Sequence, residues 1–202
     1  MPRSGLDWKF EIPTWEKIYM LLLNIADQIR KAGFKPDVIV GVSRGGWLPA
    51  RIMSDLLENP EIANVKAEFY LGVAETKGEP IITQPVSVSV WGKRVLVVDD
   101  VADTGKSLAL VRSHLKEQGA KEVKTATIYY KPWSILIPDW FEKKTNRWII
   151  FPWERKETVR RLLETCEQRG KTKEEIKEKL VHYGLNRKLV ERFIKEVSEG
   201  KA

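Results

Sequence analysis

Three carboxylates, Asp99, Asp100 and Asp103, stand within five residues of one another where the apolar run Arg94 to Val98 (RVLVV) ends. Carboxylates accept hydrogen bonds from sugar hydroxyls and hold magnesium directly or through its water. The next four residues, Thr104, Gly105, Lys106 and Ser107, carry two hydroxyls, an ammonium and a glycine that lets a ligand approach the backbone. Such a turn at the start of a helix wraps a phosphate, because backbone amides and the helix dipole both face it. A stretch that is anionic at one end and anion-binding at the other suits a phosphorylated sugar.

A second anion loop is written in Gly41-Val42-Ser43-Arg44-Gly45-Gly46. Gly45 and Gly46 free the backbone to turn its amides toward a ligand, Arg44 adds a forked charge, and a helix follows. Taken alone it reads equally well as a plain strand-to-helix turn, and it lacks the G-x-G-x-x-G spacing of a dinucleotide site. A flat heterocycle has candidates further on. Lys131 ends an apolar strand with an ammonium that can donate to O6 of a 6-oxopurine, where adenine would present a donor instead. Trp148 offers an indole face to a purine, and the backbone of Ile149 can read the ring edge.

The elements that must position these groups follow from periodicity. Ile18, Leu21, Leu22, Ile25 and Ile29 recur at helical spacing, with Thr14 placed to cap and Gly33 placed to stop the helix. Asp37 to Val42 reads as a strand, followed by a helix carrying Leu48, Ile52, Met53, Leu56 and Leu57. Residues 66–91 are less regular and predict a hairpin, with a strand at Lys66–Tyr70, a Gly/Pro turn near Lys77 to Pro80 and an alternating segment at 86–90. Then come the RVLVV strand, a helix with Leu108, Val111 and Leu115, a strand at Lys124–Tyr130, and a fourth strand at Trp148–Phe151. Strands alternating with helices predict an α/β fold, a mainly parallel sheet flanked by helices. In such sheets ligands bind at the carboxyl ends of the strands, where every group named above lies. From Glu154 onward the spacing is helical, broken at Gly170 and Gly184, so a domain over 1–153 and a small helical extension over 154–202 are expected.

Composition narrows the classes. The chain has 202 residues, 43% hydrophobic and 31% charged, which is enough to bury a core without metal or disulfide help. One cysteine, Cys166, excludes an internal disulfide, and two histidines, His114 and His182, are too few for a metal centre of their own. No apolar stretch is long enough for a membrane span and the first ten residues lack a signal-peptide core, so a cytoplasmic location is expected and a membrane partner is not. The net charge of +7 suits anionic ligands. Residues 154–202 contribute 14 Lys+Arg and 10 Asp+Glu, hence +4, but the signs are interspersed as on a solvated helical surface, and nucleic acid is not expected. A P-loop is excluded, because Gly105-Lys106-Ser107 would need glycine where Asp100 stands.

The run from Val95 to Ser107 resembles the signature of the type I phosphoribosyltransferase family, with Ala102 smaller than the usual aliphatic residue. Ser43 to Gly46 is similar to that family's pyrophosphate loop, and Lys131-Pro132 and Trp148-Ile149 are similar to the purine-binding elements of its xanthine-guanine and hypoxanthine branch. The resemblance implies transfer of a phosphoribosyl group from 5-phosphoribosyl pyrophosphate to N9 of a 6-oxopurine, giving a nucleoside monophosphate and pyrophosphate with Mg2+ as cofactor. It implies that Asp99 and Asp100 hold the ribose hydroxyls or magnesium and that Asp103 accepts the purine proton. It further implies that Ser43–Gly46 and Asp103–Ser107 bind the sugar diphosphate, that the Ser43–Arg44 peptide is cis, that a closing loop lies within 66–91, and that the protein is a homodimer or larger homo-oligomer. The Ser-Tyr pair common in that loop is not recognisable here. Two alternatives stand beside this reading: a regulator of the same fold that senses the sugar diphosphate, and an enzyme for another base such as adenine or orotate.

Overall fold

Two short β-branched runs, VIVGVS and RVLVVDDVA, lie side by side at the centre of the molecule as β2 (Val38–Ser43) and β5 (Arg94–Ala102). The computed structural model describes residues 9–59, 61–70, 78–167 and 170–200. Parallel strands buried on both faces need continuous apolar character. Both runs have it, and Val38 to Val40 and Val95 to Val98 are all at most 1% exposed.

The chain divides into two compact units, residues 18–146 and residues 1–17 with 147–202. The first holds a six-stranded sheet ordered β4-β3-β2-β5-β6-β7, with β3 at Ile62–Tyr70, β4 at Glu79–Gln84, β6 at Glu122–Tyr130 and β7 at Trp140–Lys144. Every pairing is parallel except the β3–β4 hairpin. Helix α2 (Trp47–Leu56) carries the chain from β2 to β3, and helix α3 (Lys106–Glu117) carries it from β5 to β6. The strand order therefore reverses direction between β2 and β5, and in open parallel sheets the carboxyl ends at such a reversal are where ligands bind. Leu108, Val111 and Leu115 of α3 close one core with Val38, Val40, Val95 and Val97.

Helix α1 (Trp15–Lys31) starts at Thr14, whose hydroxyl accepts from Lys17 N–H at 3.1 Å, and ends at Gly33 with φ 69°. Both boundaries follow the sequence, since Thr supplies the cap acceptor and Gly tolerates the left-handed turn. Asn24 and Gln28 of α1 donate to Glu142 of β7 at 3.0 and 2.5 Å, and Arg30 donates to the Leu56 carbonyl of α2.

The second unit pairs β1 (Phe10–Glu11) with β8 (Trp148–Ile149) and packs three helices, α4 (Arg155–Glu167), α5 (Lys173–His182) and α6 (Arg187–Ser198). Phe10, Ile150, Val159, Leu162, Ile176 and Val190 are buried in its own cluster. Thr172 and Glu175 form a capping box on α5, and Asn186 caps α6 through Leu189 N–H at 3.2 Å.

Two expected strands are corrected. Trp148–Phe151 is not a member of the main sheet: only Trp148 and Ile149 are strand, and they pair with β1, while the sheet closes on β7, whose sequence WFEKK shows no clear alternation. The 86–90 segment is not the second arm of the hairpin; that arm is Glu79–Gln84, and Pro85 follows it. Val86 and Val88 pack against the α3 core and Val90 is 1% exposed, so the alternating valines cover a core instead of pairing in a ladder.

The two central strands are also tied at their starts. Asp37 accepts from Arg94 N at 2.7 Å, from its Nε at 3.1 Å and from its Nη2 at 2.8 Å. These bonds, the side-chain ones first, hold the Asp37 carboxyl down at about 2. A carboxyl lowered on folding stabilises the fold above its unfolded value, near 4, and the contribution disappears as pH falls through the folded value. Asp37→Asn is therefore expected to lower the urea midpoint modestly at pH 7, with the gap to wild type closing between about pH 4 and pH 2. A gap constant over that range would remove the ion pair as its cause.

Candidate active site

Asp99 and Asp100 lie near the carboxyl end of β5, which ends at Ala102. Asp100 N–H donates to Asp99 Oδ1 at 2.9 Å, and Asp100 is 8% exposed. Burial first, then the charge of adjacent Asp100, pushes the Asp99 carboxyl well above the usual carboxylate range, against the pull of the Asp100 N–H. Two adjoining carboxylates withdrawn from water need compensating positive charge or hydroxyl donors.

The β2–α2 turn lies directly against them. A Cβ built on Gly45 would stand 2.5 Å from Asp100 Cγ and 2.7 Å from its Oδ1, so only glycine lets the two segments approach this closely. Gly46 is as tightly enclosed, with Val42 N and O both 2.8 Å from such a Cβ. Register explains the meeting: Gly41 pairs with Val98, so the residues after each lie at neighbouring strand ends. The Ser43–Arg44 peptide is cis. Ser43 Oγ accepts from Asn64 Nδ2 at 3.2 Å, and the Arg44 charge bears on Glu68 of β3, which also accepts from Thr83 at 2.7 Å and pairs with Lys66 at 2.8 Å. Bonds from Lys66 and then Thr83 hold Glu68 below the usual carboxylate range, with a smaller contribution from Arg44.

Beyond Asp103 the chain turns into α3 through Gly105, at φ 76°. The helix has no side-chain cap on its N-cap residue, and Lys106 N–H reaches Thr104 Oγ1 at only 3.4 Å. Its first amides are thus available to an anion. Lys106 Nζ forms an ion pair with Glu79 at the start of β4. Residues 71–77 of the expected closing loop lie outside the described residues.

Lys131, at the end of β6, is 6% exposed and its N–H donates to Ala102 O at 3.0 Å, which fixes it beside the acidic strand end. Asp103 is exposed and accepts from Trp133 Nε1 at 3.0 Å. Trp133 was not among the residues singled out from sequence; its only signal there is its place two residues after Lys131, in a chain with eight tryptophans. The structure thus brings Asp99, Asp100, Asp103, Ser43–Gly46, Thr104–Ser107 and Lys131 to adjoining strand ends of one unit. Trp148 and Ile149 belong to the other unit, where Ile149 is 6% exposed and Trp148 packs at the edge of the helical core.

Among the described residues no cluster of three or more His, Cys, Asp or Glu can hold a metal. The Asp99–Asp100 pair nevertheless fits magnesium, which takes one or two carboxylates and completes its shell with water and substrate phosphate. No helix among the described residues is long and apolar enough to cross a membrane.

The family model for the phosphoribosyl transferase domain matches residues 11–157. The chain is 30% identical over 148 residues to the xanthine-guanine phosphoribosyltransferase of Cereibacter sphaeroides, covering 70% of this chain and 84% of the relative. It is 28% identical over 143 residues to that of Nitratidesulfovibrio vulgaris, covering 70% and 82%. The solved purine phosphoribosyltransferase of Pyrococcus horikoshii superposes with a TM-score of 0.65 at 38% identity, covering 71% of this chain and 93% of that one.

Proposed function

Because the chain belongs to the phosphoribosyl transferase domain family, we propose that it transfers the phosphoribosyl group of 5-phosphoribosyl pyrophosphate to N9 of a 6-oxopurine. Guanine, xanthine and hypoxanthine form the substrate class, and a nucleoside monophosphate and pyrophosphate are the products. The observation that carries this reading is the approach of Gly45 to Asp100, which sets an anion loop against the paired carboxylates at the strand-order reversal. A sugar with a phosphate at one end and a diphosphate at the other matches two anion loops flanking two carboxylates. Two relatives are named for xanthine and guanine, and a third for purines in general.

In this reading the Thr104–Ser107 turn and the start of α3 hold the 5-phosphate, and Ser43–Gly46 with Arg44 hold the diphosphate. Asp99 and Asp100 hold the ribose hydroxyls and place negative charge near C1′, where cationic character develops as the bond to the diphosphate breaks. The diphosphate leaves with the bonding pair, the purine N9 lone pair forms the new bond, and Asp103 takes the purine proton. Magnesium, when bound at Asp99 and Asp100, supplies positive charge that offsets that of the diphosphate. Lys131 donates to O6. Trp148 and Ile149 are candidates for base contact by resemblance alone. Assembly as a homodimer or larger homo-oligomer is part of the same proposal.

The test is pyrophosphate release with magnesium, the sugar diphosphate and each base in turn. Guanine, xanthine or hypoxanthine should support release and adenine should not; release with adenine or orotate alone would overturn the base assignment. Lys131→Ala is expected to raise the KM for 6-oxopurines by about tenfold or more, the cost of losing a charged hydrogen bond, with sugar-diphosphate affinity nearly unchanged. Equal losses for both ligands would contradict a base-contacting lysine.

A further inference from the structure

Trp133 is 45% exposed, so burial does not account for its place. Its indole N–H nevertheless donates to Asp103 Oδ1 at 3.0 Å, while the Lys131 ammonium lies 5.5 Å from its ring centroid. One side chain thus bonds the group assigned above to take the base proton and lies beside the group assigned to donate to O6.

The backbone holds the indole in that position. Ser134 N–H donates to Lys131 O at 3.0 Å, closing a turn in which Pro132 sets the second residue and Trp133 is the third. Ile135 N–H donates to Thr104 O at 2.9 Å, and Lys131 N–H to Ala102 O at 3.0 Å, so the turn is strapped to the chain on both sides of Asp103. Gly105 makes the contact close: a Cβ there would stand 2.8 Å from Leu136 N. Asp103 itself is exposed, and an exposed carboxylate on a loop rotates freely unless a donor fixes one oxygen. With Oδ1 held by the indole, Oδ2 is the oxygen left for a base proton.

We infer that Trp133 is a positioning residue for the transfer, holding the Asp103 carboxylate in its proton-accepting orientation and steadying the Lys131 ammonium beside it. The inference rests on the function proposed above. Its consequence is a loss in turnover and not in substrate affinity when the indole N–H alone is removed, since orientation of the acceptor matters only as the proton moves.

Trp133→Phe keeps a ring beside Lys131 and removes the N–H. It is expected to lower kcat about tenfold, the effect of one charge-assisted hydrogen bond, with KM for the base and affinity for the sugar diphosphate within about twofold of wild type. Added to Asp103→Asn, it should cost less than about twofold more, because the group it orients can no longer accept a proton. An unchanged kcat in Trp133→Phe, a loss confined to KM, or full multiplication of the two effects in the double variant would each overturn the role. A thermal midpoint within a few degrees of wild type excludes misfolding as the cause of a lower kcat. Wild-type protein that releases no pyrophosphate with any 6-oxopurine overturns the parent function and this role together, whereas wild-type activity with unaltered Trp133→Phe overturns this role alone.

Discussion

Replacing Asp103 with Asn is expected to lower turnover by about two orders of magnitude or more while binding of the sugar diphosphate survives. The side chains are nearly the same size, and an amide oxygen still accepts from Trp133 Nε1, now 3.0 Å from Asp103 Oδ1. What disappears is the ability to take a proton from the base as the new bond forms. The phosphate turn is untouched, because Gly105 keeps its φ of 76° and Ile135 N–H still bonds Thr104 O. Calorimetric titration with the sugar diphosphate and steady-state pyrophosphate release measure the two quantities separately. Turnover equal to wild type would take Asp103 out of the proton transfer; parallel loss of binding would make its part electrostatic or structural instead.

Gly45→Ala is expected to reduce kcat/KM for the sugar diphosphate by about a hundredfold, with little loss of stability. The added methyl would lie 2.5 Å from Asp100 Cγ and 2.7 Å from Oδ1, well inside contact distance. A strand backbone could not yield, but a carboxylate can rotate about its own bonds, so the fold tolerates the change and the site does not. Asp100 would turn away from the ribose and from any magnesium held with Asp99. Gly46→Ala makes the useful contrast: its Cβ meets Val42 N and O at 2.8 Å, which are backbone atoms, so that variant should lose stability as well as activity. Gly45→Ala protein with wild-type kcat/KM would show that the approach of the two segments is incidental to binding.

Much of this site could be read from local signals. Asp99, Asp100 and Asp103 follow an uninterrupted apolar run, and charge after such a run marks the approach to the end of a buried strand, so their place near a strand terminus was legible; β5 itself runs through Asp99 and Asp100 to Ala102. Glycine in Gly105-Lys106-Ser107 and Gly45-Gly46 marked turns because a side chain would be excluded there, and the φ of 76° at Gly105 and the enclosure of Gly45 and Gly46 agree. Thr14, Gly33, Gly170 and Gly184 marked helix ends by the same local chemistry. Trp133 was not legible, because nothing in Lys-Pro-Trp-Ser separates an indole that bonds a carboxylate thirty residues earlier from one that packs. The pairing of Trp148–Ile149 with Phe10–Glu11 was hidden as well, since two-residue strands carry no periodicity.

Sequence alone determined which segments are strands and helices around the sheet centre, which residues carry charge at their ends, and the family to which that pattern is similar. Those are consequences of a few neighbouring residues: an apolar run, a capping hydroxyl, a glycine at positive φ. Tertiary structure decided the strand order that reverses between β2 and β5, the contact of Gly45 with Asp100, the strap of residues 131–136 across the phosphate turn, and the bond from Trp133 to Asp103. Each joins residues far apart in the chain, and which distant strands pair depends on the summed packing of the helices against the sheet, a quantity that no short window of residues contains.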